Sequence, residues 1–404
     1  MNANTGSSLL AGVRVVDLTQ NLSGPYGAML LADMGCEVIK VEPPKGDPTR
    51  VIHPLRSGMS LHFSSINRNK RSVVIDLKNE SGRDVLLDLL SNADVVFNNF
   101  RPDVMERLGI GYETLRARNA GLVYCSLSGY GKDGPRSLTP AYDLAIQALS
   151  GGMSLTGYEG QRPARAGIPI ADLCGGTFAV LSILAALVRR AQTGDGCEVE
   201  VSMLDAQISL LTYWAGFALN SEILPGPQGG GNTSIMPYGA VKASDGDLVI
   251  AVWGEAFWPK VCNAIGRPDI IDDNRFVNNH ERVKNRAELQ AIIDAEFAKM
   301  TVDEWLEILR KADVPSNRIN NVREAMADPQ VVARDMSIEV MIGDELCTFA
   351  GNPVKQVPRV GTPSGPPPKL GEHTAEVLKE WLSYDSDTID KLLGEGAVAQ
   401  QATT

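Results

Sequence analysis

Residues 13–42 read VRVVDLTQNLSGPYGAMLLADMGCEVIKVE, and strand and helix signals alternate within them. VRVVDL (13–18) and EVIKVE (37–42) are short runs rich in β-branched residues. GPYGAMLLADMG (24–35), which lies between them, has the composition of a helix that ends at Gly35. Two strands joined by a helix form a parallel pair with a right-handed crossover. The stretch therefore predicts a Rossmann-like α/β core.

The same alternation of strands and helices continues along the chain. The elements predicted after residue 42 are strands at 73–77, 94–97, 122–129 and 198–203 and helices at about 81–91, 102–108, 141–150 and 204–220. Strands separated by helices of this length indicate a mostly parallel sheet. The fold class predicted from this pattern is α/β.

A change of composition near residue 221 predicts a second domain. SEILPGPQGGGNTS (221–234) is rich in Pro and Gly and is typical of a linker, and the sequence after it predicts a hairpin that turns at Asp245-Gly246. Helices are predicted near 286–300, 301–312 and 374–382. The predicted organisation is a large Rossmann-like domain that begins with residues 1–227, a smaller α+β domain at 228–322, and a C-terminal part, 323–404, that returns to the large domain.

Composition narrows the class of protein. The chain is 44% hydrophobic and 22% charged, which is typical of a soluble globular protein, and its net charge of −11 argues against nucleic acid or an anionic membrane as a partner. The longest charge-free apolar run, FAVLSILAALV (178–188), is too short to span a bilayer. Residues 1–17 lack a basic leader followed by an apolar core. These features predict a cytoplasmic protein.

The cysteines and histidines predict no metal site. The chain has six cysteines and four histidines, all scattered, and none of the cysteines forms a CxxC pair. The simplest interpretation is a set of reduced thiols in a cytosolic protein.

Two segments are candidates for binding a nucleotide. The first, at residues 24–42, lacks GxGxxG and has Pro25 in the turn, so Glu42 is interpreted as a solvated strand end and an NAD site is disfavoured. The second comprises NRNKRSVVIDLK (67–78) and FNNFRPDVMERLG (97–109), which combine cations, amides and Phe100 at a strand end. They suit an adenine nucleotide. A basic surface turn with an Asn cap is the alternative.

Asp172 stands alone between a short apolar stretch and a long apolar helix in AGIPIADLCGGTFAVLSILAALVRR (166–190). An aspartate there suits the N-cap of the helix, where it would stabilise by about 1 kcal/mol. Gly175 and Gly176 each cost nearly 1 kcal/mol relative to Ala in a helix, so we expect something to approach the backbone closely. A cap and a functional carboxylate both remain open.

Several stretches together resemble the family III CoA-transferases, the formyl-CoA transferase and CaiB/BaiF type. They are GIPIADLCGG around Asp172, the segments 15–44 and 46–50, NRNKRSVVIDLK, NNFRP with Arg107, SGYGKDGP with AYDLAIQA, DPQVVARDM (328–336) and LGEHTAEVL (370–378). The resemblance covers nearly the whole chain. It implies acyl-CoA and small carboxylic acids as substrates, with coenzyme A bound and no metal, and an interlocked homodimer.

The resemblance implies roles for particular residues. Asp172 would attack the acyl-CoA, passing through a mixed anhydride and an aspartyl-CoA thioester, with N–H groups at 173–176 available for the oxyanions. Asp143 falls where formyl-CoA transferase has an active-site glutamate. The residues placed at coenzyme A by the resemblance are Leu22, Ile75, Lys78, Asn99, Phe100, Arg107 and Tyr142.

The chain departs from the family pattern at several positions. Leu22 and Pro43 replace a glutamine and an arginine, and GGGNTSIMPYG (229–239) replaces a tetraglycine loop, which argues against oxalate as the acceptor. A dicarboxylate such as succinate or a C5 relative, with succinyl-CoA as donor, fits the family. The alternatives are an α-methylacyl-CoA racemase, whose histidine is replaced here by Tyr142, and a catalytically silent CoA-binding partner.

Overall fold

The structure is a computed structural model that describes residues 8–356 and 365–400. The chain divides into two compact units: unit 1 comprises Met1–Gly152, Ala166–Gly216 and Pro329–Thr404, and unit 2 comprises Met153–Arg165 and Phe217–Asp328. The small domain predicted at 228–322 lies within unit 2, which also takes in an earlier segment that carries no sequence signal. Residues 1–7, which belong to the N-terminal stretch predicted to lack a leader, lie outside the described residues. Residues 357–364 and 401–404, in the predicted C-terminal part, also lie outside them.

Short strands make up the sheets of both units. In the described residues they are β1 Arg14–Asp17, β2 Glu37–Glu42, β3 Leu55–Arg56, β4 Met59–Ser60, β5 Lys70–Ile75, β6 Val95–Asn98, β7 Val123–Ser128, β8 Cys197–Ser202, β9 Tyr238–Lys242, β10 Asp247–Ala251, β11 Ser316–Arg318, β12 Ser337–Ile342, β13 Glu345–Ala350 and β14 Val398–Ala399.

Helices connect most of these strands. In the same residues the α-helices are α1 Ser23–Asp33, α2 Leu61–Asn67, α3 Glu80–Ser91, α4 Val104–Arg107, α5 Tyr112–Arg118, α6 Asp143–Leu149, α7 Ile170–Thr193, α8 Met203–Ser209, α9 Tyr213–Asn220, α10 Trp258–Ala264, α11 Asn279–Lys284, α12 Arg286–Phe297, α13 Val302–Lys311, α14 Val322–Ala327, α15 Pro329–Ala333, α16 Thr374–Leu382 and α17 Ser386–Gly394.

Unit 1 is built on a seven-stranded sheet in the order β14-β5-β2-β1-β6-β7-β8. The neighbours from β5 to β8 are parallel, and β14 adds an antiparallel edge, with Val398 opposite Ile75. The strand order reverses direction between β1 and β6, the kind of switch point at which open α/β sheets bind ligands. The predicted Rossmann-like α/β architecture is confirmed.

Both faces of the sheet are covered. Val16 and Val96 pack into one buried cluster with α3, α5, α16 and α17, and their neighbours Val15 and Val95 pack into a second cluster with α1 and α7. Successive residues of a strand point to opposite faces, so a strand covered on both sides needs a continuous apolar run. This requirement accounts for the consecutive apolar residues by which β1 and β6 were predicted.

Helices α1 and α7 cross at a contact made by backbone atoms. A Cβ added to Gly176 would lie 2.3 Å from the Ser23 carbonyl oxygen, and one added to Gly27 would lie 2.9 Å from the Gly176 carbonyl oxygen. The close approach expected from the two glycines behind Asp172 is therefore made by α1 of the same chain.

Two helices differ from their predicted form. The helix predicted at 204–220 is broken into α8 and α9 at Thr212, whose φ of 44° lies in the left-handed region.

Helix α7, at 24 residues, is long and apolar enough to cross a membrane by length and composition alone. It packs against α1, β7, β8 and α8, which accounts for its apolar composition.

Unit 2 has its own sheet and core. Strands β9, β10 and β11 form an antiparallel sheet, and β9 and β10 form the predicted hairpin, with Lys242 opposite Asp247. The core of the unit contains Trp258, Phe297 and Trp305. Helix α13 begins with a capping box in which Thr301 and Glu304 bond each other's backbone N–H groups.

Replacing Gly176 by alanine should destabilise the fold. The added methyl group would collide with backbone rather than with a flexible side chain, so α1 and α7 would have to separate, and we expect Gly176→Ala to lower the free energy of unfolding by about 1–3 kcal/mol. Denaturant unfolding followed by circular dichroism measures this. Gly394→Ala, at an exposed helical glycine with nothing within 4 Å, is the matched control and should be neutral or stabilising. Equal effects of the two substitutions would contradict the close-contact account.

Candidate active site

Asp172 is the third residue of α7 and does not cap it. The helix begins at Ile170, Pro169 occupies the N-cap position, and Pro169 makes no side-chain capping hydrogen bond. The prediction that Asp172 is the N-cap is therefore wrong. The helix starts three residues earlier than an N-cap at Asp172 would allow, because a carboxylate from another helix binds N–H groups of its first turn.

That carboxylate belongs to Asp143, the first residue of α6. Its Oδ1 accepts hydrogen bonds from the backbone N–H groups of Ala171 (2.9 Å) and Asp172 (3.4 Å). N–H groups in the first turn have no partner within their own helix, and a negative charge at this end is favoured by the helix dipole. Asp143 thus caps α7 from a distance of 28 residues along the chain.

The start of α7 has no spare N–H group for an oxyanion. The Ile170 N–H donates to the carbonyl of Ile168, and the Leu173 N–H donates to that of Pro169. From residue 174 onward the N–H groups bond within the helix. The N–H groups expected at 173–176 are therefore already used, and this part of the sequence-based mechanism is wrong.

Gln147 connects Asp143 to the segment that leads into α7. Its Nε2 donates to Asp143 Oδ2 at 2.7 Å, and its Oε1 accepts from the Ala166 N–H at 2.9 Å. Gln147 is 2% exposed and Asp143 is 9% exposed, so these bonds are shielded from water. The sequence analysis missed Gln147, although its spacing of four residues from Asp143 places both on one helix face.

The environment of Asp172 favours its neutral form. Burial, with a further contribution from the charge of Asp143, raises the pKa of Asp172 to about 7. The side chain is only partly buried, and its backbone carbonyl accepts a hydrogen bond from Ser23 Oγ at 2.8 Å. Burial also raises the pKa of the neighbouring Cys174 to about 11, so that group remains a thiol at neutral pH. Near neutral pH, Asp172 therefore exchanges between a carboxylic acid and a carboxylate, whereas Cys174 stays protonated.

Asn99 bridges the switch point of the sheet. It follows β6, and its amide bonds the backbone of Gln20, which follows β1: the Gln20 N–H donates to Oδ1 and Nδ2 donates to the Gln20 carbonyl, both at 2.8 Å. This pair holds the loop that carries Leu22 into α1. Leu22, Asn99 and Asp172 are therefore positioned at the same edge of unit 1.

A buried ionic cluster supports the same loop from below. Lys70 Nζ lies 2.9 Å from Asp17 Oδ2 and also donates to the Pro25 carbonyl, and Lys40 Nζ donates to the Thr19 carbonyl. Asp17, Lys40 and Lys70 are almost completely buried, and burial lowers the pKa of Lys70 to about 8. Removing one member would leave an uncompensated charge, which is strongly destabilising.

A cavity of about 310 Å³ opens at the carboxyl ends of β6 and β7. Its lining includes Phe100 and the buried ring of Tyr124, together with Asn98, Arg101 and Lys132. Of the residues predicted to contact coenzyme A, only Phe100 lines it. Aromatic, amide and cationic groups at strand ends suit a nucleotide.

The remaining candidate residues are distributed around this edge. Ile75 is buried at the end of β5 and Lys78 is exposed just beyond it. Three strand spacings, roughly 14 Å in total, separate β5 from β6. Arg107 is exposed and paired with Asp103 at 3.0 Å, and Tyr142 is 74% exposed immediately before Asp143.

The potential metal ligands do not cluster. Among residues 8–356 and 365–400, no group of three or more His, Cys, Asp or Glu side chains could hold a metal ion.

Known proteins match the chain along most of its length. The family model described as CoA-transferase family III matches residues 10–374. The chain is 36% identical to the succinyl-CoA:glutarate CoA-transferase of Mus musculus, over 98% of this chain and 91% of that protein. It is 38% identical to the acetyl-CoA:oxalate CoA-transferase of Acetobacter aceti, over 93% and 96%. A CAIB/BAIF family protein from Brucella suis superposes with a TM-score of 0.84 at 34% identity, covering 93% of this chain and 99% of that one.

Asp172→Asn should stabilise the protein, increasingly so as the pH rises. The folded protein keeps the Asp172 proton up to about pH 7, whereas the unfolded chain releases it near the ordinary value of 3.8. The wild-type protein therefore loses stability as the pH rises through this interval, and the asparagine variant does not. We expect a free energy of unfolding about 1–4 kcal/mol higher for Asp172→Asn at about pH 8, with the difference vanishing near pH 4.

The measurement is denaturant unfolding of both proteins at several pH values. Asp205→Asn is the matched control, because Asp205 is also the third residue of its helix but is exposed. It should change the free energy by less than about 1 kcal/mol and in the destabilising direction. A pH-independent difference for Asp172→Asn would contradict the raised pKa.

Proposed function

Because the chain belongs to CoA-transferase family III, we propose that it transfers coenzyme A from succinyl-CoA to a small dicarboxylic acid, with Asp172 as the nucleophile. The observation that carries the mechanism is the position of Asp172: a carboxylate at the start of a core helix, partly exposed, with a pKa raised to about 7. A carboxylate with a pKa near 7 is partly ionised at neutral pH, and its ionised form is more basic than an ordinary aspartate, which favours attack on a thioester.

The proposed reaction conserves the thioester through four substitutions. An oxygen of Asp172 attacks the acyl carbon and expels coenzyme A thiolate, which leaves a mixed anhydride. The thiolate attacks the aspartyl carbon, releasing the donor acid and forming an aspartyl-CoA thioester. The acceptor carboxylate then attacks that carbon, expels the thiolate and forms a second anhydride. The thiolate finally attacks the acceptor's acyl carbon, which yields the new acyl-CoA and frees Asp172. No step consumes water or needs a metal.

Coenzyme A is proposed to lie along the carboxyl edge of the sheet in unit 1. Leu22, Ile75, Lys78, Asn99, Phe100, Arg107 and Tyr142 are proposed to contact it. In support of this, Asn99 fixes the loop that carries Leu22, and Phe100 lines a cavity at this edge. Lys78 and Arg107 are exposed cations, which suit phosphate groups.

The proposed acceptor is a dicarboxylate of four or five carbons. The mouse relative named above has succinyl-CoA and glutarate in its name, and the Acetobacter relative has acetyl-CoA and oxalate. Dicarboxylic acids are common to both names. Leu22 and Pro43 replace a glutamine and an arginine of formyl-CoA transferase, which argues against oxalate. These differences favour a dicarboxylate of four or five carbons as the acceptor.

A homodimer is proposed as the working form, in the cytoplasm. Helices α7 and α8 and the start of α9 expose Leu181, Val188, Ile208 and Tyr213, which are between 46% and 60% exposed. Exposed apolar surfaces of this kind in a single chain commonly mark protein interfaces. The resemblance to family III CoA-transferases implies an interlocked dimer, in which the two chains are threaded through each other.

A racemase that uses Asp172 as a base is the second candidate. It needs a second base to move a proton in both directions, and the family position for that histidine holds Tyr142. Asp143 is engaged with the start of α7 and with Gln147. These observations favour CoA transfer over racemisation.

Covalent trapping tests the proposal directly. After incubation with succinyl-CoA and addition of hydroxylamine, we expect a hydroxamate on Asp172 in the tryptic peptide 166–189, detected by mass spectrometry. Asp172→Asn should give none, and acetyl-CoA and unrelated acyl-CoAs define the donor range. An unmodified peptide with every donor, together with deuterium uptake at the α-carbon of a branched acyl-CoA, would establish the racemase instead.

The rate of transfer should follow the ionisation of Asp172. We expect kcat/KM for the acyl-CoA donor to rise with pH and level off above a midpoint near pH 7, because only the ionised carboxylate attacks. Initial rates between about pH 5.5 and about pH 8.5 measure the midpoint. Phe100→Ala serves as control, since it should raise KM without moving the midpoint. A flat profile over this range is the result that contradicts the assignment.

A further inference from the structure

The side chains of Asp143 and Gln147 are hydrogen-bonded to each other and to backbone N–H groups, and the donor and acceptor of each bond are determined. At one end the Ala166 N–H donates to Gln147 Oε1, and at the other the N–H groups of Ala171 and Asp172 donate to Asp143 Oδ1. The partners at both ends are backbone N–H donors, so the two side-chain atoms that face them, Gln147 Oε1 and Asp143 Oδ1, must be acceptors. One donor, Gln147 Nε2, lies between the two side chains and bonds Asp143 Oδ2. An amide facing an ionised carboxylate satisfies every group.

The pair clamps one short segment at both of its ends. Gln147 holds Ala166, and Asp143 holds Ala171 and Asp172, so residues 166–172 are attached to α6 before and after the turn into α7. The opposite side of this turn is held by α1, through the bond from Ser23 Oγ to the Asp172 carbonyl. The side chain of Asp172 extends from the end of the clamped segment.

We propose that Asp143 and Gln147 act as a positioning pair that fixes the backbone of Asp172 for attack, and that Asp143 does not itself touch the substrate. Both Asp143 oxygens are occupied by protein donors, and the side chain is 9% exposed. Buried groups with satisfied hydrogen bonds are suited to holding geometry, since leaving any one of them unpaired is costly. The proposal rests on Asp172 being the nucleophile.

Exchange of the two functional groups tests the pair. Asp143→Asn places two amide N–H₂ groups against each other, and Gln147→Glu places two carboxylates against each other, so each single variant breaks the chain of bonds. The double variant Asp143→Asn/Gln147→Glu restores it, because the new amide can donate to the new carboxylate while both outer acceptors remain. Only a positioning role, which depends on complementarity, predicts rescue by the double variant.

We expect each single variant to lower kcat and the rate of hydroxamate formation at Asp172 by roughly 10–100-fold, as a small displacement of a reacting group does. The KM for succinyl-CoA should change little. The double variant should recover to within about threefold of wild type. A double variant as inactive as Asp143→Asn would overturn the proposal and show that the Asp143 carboxylate acts on the substrate.

Matched variants separate positioning from general loss of structure. Asn119→Asp makes the same chemical change at an amide that bonds the Ser91 and Ala93 carbonyls near the amino ends of β6 and β7, and it should leave the transfer rate unchanged. If Gln147→Glu does not fold, Gln147→Met removes both hydrogen bonds without adding charge and should show the same loss of kcat. An unchanged kcat in a folded Gln147→Met protein would overturn the proposal.

The outcomes also separate this proposal from the proposed function. Trapping at Asp172 in the wild type without rescue in the double variant leaves the transferase function standing and removes the positioning pair. No trapping with any donor, alongside recovery of the free energy of unfolding in the double variant, removes the transferase function. In that case the pair is a structural cap only, and its catalytic role is overturned.

Discussion

The backbone contact between α1 and α7 is the constraint on which the candidate site depends. Two helices can meet backbone to backbone only where side chains are absent, and Gly27 and Gly176 provide that absence. The contact brings Ser23 onto the Asp172 carbonyl and fixes the start of α7 relative to the loop after β1. The same loop is held by Asn99 and by the buried lysines beneath it. Asp172 and the sheet edge are thus held in one arrangement by contacts within unit 1.

Electrostatics at this site follow from packing. Placing a carboxylate at the start of a helix would normally favour its ionised form, because of the dipole and the free N–H groups. Here those N–H groups are given to Asp143, so Asp172 is left with burial and a like charge nearby, and its pKa rises. Burial, followed by the negative charge of the second carboxylate, makes Asp172 more basic than an ordinary aspartate.

The sequence predicted most of the fold because both faces of the sheet are buried. The apolar runs in β1 and β6, and the helix signals for α3, α13 and α16, depend on local pattern alone. The errors arose where a distant residue decides local structure. A cap at Asp172 was one of two open interpretations, and the structure excludes it because Asp143, from elsewhere in the chain, satisfies the helix start. The break at Thr212 has no Gly or Pro to signal it. The spacing of Gln147 from Asp143 was readable in the sequence, but its contact with Ala166 forms only in the folded protein.

The pairing of β14 with β5 sets an order for the completion of the sheet during synthesis. Ile75 leaves the ribosome early, yet its partner on the outer edge is Val398, and the whole of unit 2 is made in between. Until the last strand arrives, β5 presents an open edge, the kind of surface that pairs with other chains. The nascent protein therefore has a prolonged interval in which its own sheet edge must be shielded, and α16, which packs against β5, is also made late.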